Sequence, residues 1–146
     1  MKKTLLILAI VIVVVALGAG GWYYFGAKKV VWDGTYQMTG VMACEGNIPN
    51  LTSIPMDTTL LVVGNKIVDQ SKTFDIDAGG KAKEIMSLPA SAATNGVSTD
   101  LDADYQFYKQ GDVYKFTGNG TVILSVTSAG KDYSSTCTGD VSGIRQ

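Results

Sequence analysis

The sequence predicts an all-β soluble domain, an antiparallel β-sandwich or small β-barrel, preceded by a single N-terminal transmembrane α-helix. Three observations predict it. Leu5 to Ala27 is an uncharged run with lysines on both sides, most of the remaining chain alternates with period two, and glycine-centred turns punctuate the alternation.

At about 1.5 Å per residue the run is long enough to cross roughly 30 Å of hydrocarbon as a helix. Trp22, Tyr23, Tyr24 and Phe25 form an aromatic cluster at its outer end, the kind of side chain that settles among lipid headgroups. A cleaved secretory signal is the alternative, with Ala16-Leu17-Gly18 or Gly18-Ala19-Gly20 as the small-residue cut site. The length of the run and its aromatic end favour a retained anchor. Lys2, Lys3 and the amino terminus make the leading flank the more positive one, which predicts a cytoplasmic N-terminus and a periplasmic or extracellular C-terminal domain. Ala16 and Gly20 stand four apart on one helical face, where small side chains let a second helix approach. The expected organisation is a tail over 1–4, a transmembrane helix over 5–27, a linker over 28–33 and an extracytoplasmic β-domain over 34–146.

In that domain Tyr36, Met38, Met42 and Cys44 share one face of a first strand. Thr58 to Val63 and Ile67 to Ile76 follow as shorter candidates, divided by Gly64-Asn65. Lys81 to Leu88 reads equally as a short helix or a strand, and Pro89 to Thr99 as a long loop. Leu101, Ala103, Tyr105 and Phe107 alternate with Asp102, Asp104, Gln106 and Tyr108, so the aspartates fall on a solvent face. Val113 to Thr117, Val122 to Val126 and Tyr133 to Val141 complete the set, with turns expected at Gly111-Asp112, Gly118-Asn119-Gly120 and Gly130. Many short strands joined by glycine turns imply a sandwich or barrel.

The only two cysteines are Cys44, near the end of the first strand, and Cys137, within the last. On an outward domain they are expected to form a structural disulfide, with both on inward rows and the first and last strands side by side.

Composition excludes much chemistry. The chain has 0 His, which removes the usual general base near neutral pH and the commonest transition-metal ligand. Of its 12 basic residues, Lys2, Lys3, Lys28 and Lys29 flank the apolar run, while all 13 acidic residues lie after it, so nucleic acid is not an expected partner. Asp75-Ile-Asp77-Ala-Gly79-Gly80 is a weak calcium candidate, since two aspartates lead into bendable glycines but no glutamate closes the loop. Asn50-Leu-Thr52 and Asn119-Gly-Thr121 match the N-glycosylation pattern. No catalytic residue, cofactor or firm metal site is expected. The expected function is a non-catalytic accessory or interaction subunit of a larger membrane protein complex, contacting membrane lipid. The alternatives are a membrane-anchored small-ligand-binding β-barrel and a self-associating subunit of a surface filament. The ligand-binding alternative expects inward aromatics around a cavity, with Tyr36, Tyr105, Phe107, Tyr114, Phe116 and Tyr133 as the candidates.

Overall fold

The computed structural model describes residues 30–69, 72–91 and 96–146. The membrane helix expected over 5–27, its packing positions Ala16 and Gly20 and its interfacial Trp22, Tyr23, Tyr24 and Phe25 lie outside the described residues. Among the described residues no helix is long and apolar enough to cross a membrane.

Eight antiparallel strands are formed among the described residues: β1 (Gly34–Gly46), β2 (Ser53–Val63), β3 (Lys66–Asp69), β4 (Lys72–Asp75), β5 (Lys81–Leu88), β6 (Ser98–Gln110), β7 (Val113–Ser128) and β8 (Lys131–Arg145). They lie in the order β4-β3-β2-β1-β8-β7-β6-β5. Every strand therefore neighbours the next in sequence, and β1 returns to pair with β8, an up-and-down meander curled into a nearly closed barrel. Closure rests on a single bridge between Ile76 and Ala82, reinforced by the Asp77 amide donating to the Lys81 carbonyl at 2.8 Å.

The seam is incomplete because β3 and β4 are short. β3 pairs only with Leu61 to Val63 of β2, and β5 meets β4 only at that bridge. Among the described residues the outer edges of β2 from Ser53 to Leu60 and of β5 from Lys83 to Leu88 carry no ladder partner. The barrel wall has a window there.

One open sequence expectation is decided and others are corrected. Lys81 to Leu88 is a strand, because its inward positions Ala82, Glu84, Met86 and Leu88 alternate with exposed Lys81, Lys83, Ile85 and Ser87. Ile67 to Ile76 is not one strand but the β3–β4 hairpin. Gly118-Asn119-Gly120 is not a turn, since it lies inside the 16-residue β7 and pairs in register with β6 and β8. The expected linker ends early. Trp32 is buried in the core, and its amide donates to Asn65 Oδ1 at 2.7 Å, while Asp33 accepts the Gly64 and Asn65 amides at 2.9 and 2.7 Å.

The inward rows explain how the barrel is filled. One row runs Phe107, Phe116, Gly143, Met38 across β6, β7, β8 and β1. A side chain at Gly143 would run into the Phe116 ring, so the glycine makes room for it. The next row runs Tyr105, Gly118, Val141, Gly40, and here the Tyr105 ring covers Gly118. Trp32, Tyr36, Phe107, Phe116 and Tyr105 then stack in tilted and edge-to-face pairs with centroids 5.4 to 6.0 Å apart. Arg145 closes this end, its guanidinium 3.7 Å from the Tyr114 ring centre and its Nη1 donating to the Asp33 carbonyl at 3.1 Å. One end of the barrel is thus a solid aromatic plug.

Towards the other end Cys44 and Cys137 face each other in the β1–β8 ladder and are joined by a disulfide, their Cα atoms 3.9 Å apart. The sequence pairing and the adjacency of first and last strands both hold. Cys137 is fully buried and Cys44 half-buried.

Candidate functional site

Between plug and disulfide the inward row is Ala103, Gly120, Gly139, Met42. Around Gly120 no ring takes up the missing side chain. The nearest atoms to a Cβ there would be Ala103 Cβ at 3.4 Å and Asp102 O and Met42 Cε, each at 3.6 Å. The consequence is a cavity of about 260 Å³ inside the barrel. Met38, Met42, Met56, Leu60, Leu101 and Ala103 form most of its apolar wall, and Thr58, Thr59, Val68 and Asp69 border it along the window side. Its volume is close to the lower end of small-molecule pockets and equals the liquid volume of about eight or nine waters.

Into this apolar space β5 brings Glu84, only 2 % exposed. The Tyr105 hydroxyl donates to Glu84 Oε2 at 2.9 Å, and the Asp69 carboxyl approaches from the end of β3. Burial pushes the Glu84 carboxyl up to about 7, the Tyr105 hydrogen bond pulls it down, and the hydrogen bond and charge of Asp69 raise it again. Burial, joined by the charge of Glu84, also pushes the Tyr105 hydroxyl well above its ordinary value, so it remains a donor. With the Asp69 carboxyl beside it and little water around it, the Glu84 carboxyl keeps its proton to a higher pH than an exposed glutamate does.

On a comparison with known proteins, the chain matches no family model, no curated protein and no solved structure. The site stands on its geometry alone.

The expected aromatics divide between two roles. Tyr36, Phe107 and Phe116 are fully buried in the plug, Tyr114 packs against it, and only Tyr105 of the six also lines the cavity. Tyr133 lies near the far end of β8, beside a separate surface hollow with Asn47 and Asp132. The calcium candidate is dispersed by other partners. Asp75 is ion-paired with Lys66, and Asp77 Oδ1 accepts the Lys81 amide at 2.8 Å to close the β4–β5 turn. Among the described residues no three His, Cys, Asp or Glu side chains gather around a point. Asp102 and Asp104 face solvent as expected, with Lys83 Nζ at 2.9 and 3.9 Å.

Sequence reasoning missed Glu84 and Asp69. The available signal for Glu84 was its position: it is the single acidic residue in the alternating row Ala82, Glu84, Met86, Leu88. Nothing in the sequence around Asp69 marks it, because its meeting with Glu84 depends on where the β3–β4 hairpin folds.

Proposed function

We propose that the β-domain is a non-catalytic binder of a small, largely apolar molecule carrying one polar group. The observation that supports it is the cavity itself: an apolar, methionine-rich space inside a barrel, reached beside an unpaired seam and lined by the buried Glu84 with the half-buried Asp69 beside it. Apolar walls supply affinity and convergent polar atoms supply orientation. Methionines suit such a wall because their unbranched thioethers adapt to ligand shape. Among the described residues the cavity lining contains no histidine, lysine, serine or cysteine beside the two carboxyls, which supports a binding role over a catalytic one.

The test is a thermal-shift series on the full chain in mild detergent with six-carbon alcohols, amines and acids. At saturation at least one class raises Tm by roughly 3 °C or more, through binding to the folded state alone. Ala103→Leu, which grows into the cavity, abolishes that rise. A Tm unmoved by every compound, or a shift that survives in Ala103→Leu, removes the reading.

A second reading keeps the barrel as an accessory or self-associating subunit at a membrane. Val31, Leu61 and Val63 are exposed apolar side chains where the chain enters the barrel beside the β2–β3 turn, and they suit a lipid or protein contact. Mass spectrometry of the protein extracted from native membranes distinguishes the two readings. Recovery with stoichiometric membrane proteins supports the subunit, and recovery in the aqueous fraction without detergent opposes the expected membrane tether.

A further inference from the structure

The cavity wall is unbalanced in hydrogen-bonding chemistry. Glu84 and Asp69 bring four carboxyl oxygens, and among the described residues the Tyr105 hydroxyl is the only donor to Glu84. Among the described residues no lysine or arginine lines the space. The basic side chains of the domain are engaged elsewhere or turned outward: Lys66 with Asp75, Lys83 with Asp102, Lys115 with the Gln110 side chain, Lys109 and Arg145 over Tyr114. A carboxylate sealed from water to this degree is ordinarily paired with a cation. Among the described residues that line the cavity there is none.

We infer that the cavity is a site for a small organic cation, an alkylammonium whose N–H groups are donated to Glu84 and Asp69 while its hydrocarbon body lies against Met38, Met42, Met56 and Leu101. This rests on the ligand-binding reading and names its substrate class. The remaining wall suits the assignment, since thioether sulfurs and the Tyr105 ring are polarisable and electron-rich towards a positive charge. The opening suits it as well: Thr58 and Thr59 hydroxyls along the window offer polar contacts to a cation passing from water.

Binding has a proton balance. An ammonium accepts no proton and is held best by an ionised Glu84, so its binding displaces the proton that Glu84 carries to solvent and leaves the Glu84 carboxylate between the cation and the Tyr105 hydroxyl. The charged or titratable groups facing Glu84 are Asp69 from β3 and Tyr105 from β6, while β1, β2 and β8 present Met38, Met42, Leu60 and Val141. Affinity for the ammonium therefore rises with pH. A carboxyl titrating near 7 allows about a tenfold gain between pH 6 and pH 8.

The test is calorimetric titration of the full chain with cyclohexylammonium and with its neutral isostere cyclohexanol, each in two buffers of different ionisation enthalpy. The expected result is tighter binding of the ammonium, about tenfold stronger at pH 8 than at pH 6, with net proton release, and a Glu84→Gln protein that keeps cyclohexanol but loses the ammonium preference. Cyclohexanol bound as tightly as the ammonium, with no pH dependence, overturns the cation assignment and leaves the cavity reading standing. Binding of neither overturns both. The pH dependence and proton count are read on the unaltered protein, so the inference remains testable if Glu84→Gln fails to fold.

Discussion

Glu84 is a stability liability at alkaline pH, and its sign can be worked through. Its folded value of about 7 lies above its ordinary 4.5, so the folded chain holds the proton more tightly than the unfolded one. The stability linked to that proton is fully present below about pH 4.5 and is lost as pH rises through about 7. Replacing Glu84 with Gln is expected to flatten this decline and to stabilise the protein at pH 8 by on the order of 1 to 2 kcal/mol, after discounting for solvent reaching the pair through the window. Urea midpoints from pH 5 to 8 check it; equal slopes for the two proteins contradict it. Asp33 works in the opposite sense. Held down by the Asn65 and Gly64 amides, it contributes stability present above its ordinary 3.8 and lost as pH falls through its lowered folded value. At this scale the sequence was only partly legible. The inward aromatics and Met38 and Met42 were readable from alternation, whereas Glu84 was hidden behind Lys81 and Lys83 in a stretch that reads as solvated. Gly118 and Gly120 carried a turn signal because glycine pairs usually do, but in β7 they stand on inward rows, and only neighbouring strands reveal that Gly118 lies beneath the Tyr105 ring.

At the scale of elements, the strands legible from sequence are those with strong alternation: β1, β6 and β8. The division of β3 from β4 was not legible, because the run from Ile67 to Ile76 contains no glycine or proline to mark a turn. That short hairpin decides the architecture, since it leaves β2 and β5 unpaired along the window and so gives the cavity an opening. The Cys44–Cys137 bond acts on the opposite wall, spanning 93 residues between two strands already paired in register. Chain entropy alone credits a loop of that size with about 4 to 5 kcal/mol, and native relaxation commonly lowers the figure. Cys44→Ala with Cys137→Ala is expected to lower stability by about 2 to 4 kcal/mol while retaining the far-UV spectrum, as judged by denaturant midpoint. Loss below about 0.5 kcal/mol contradicts a structural role, as does alkylation of both thiols in unreduced, denatured protein.

For the whole molecule, the plug and cavity divide the barrel interior into two functions. Interlocked rings around Tyr36, Phe107 and Phe116 hold the fold at one end, and small inward residues around Gly120 leave it hollow beyond. This division explains why composition pointed to a β-domain without pointing to a site: aromatic and glycine content is the same whether rings surround a cavity or fill a core. The methionines provide the most direct measurement. Met38, Met42 and Met56 line the cavity, whereas Met86 is not among the residues of its wall. With all methionine methyls carbon-13 labelled, titration of the full chain with a small alkylammonium is expected to shift Met38, Met42 and Met56 together and saturably. Saturable binding that leaves those three methyls unmoved would contradict the account, because the ligand would then be held somewhere other than inside the barrel.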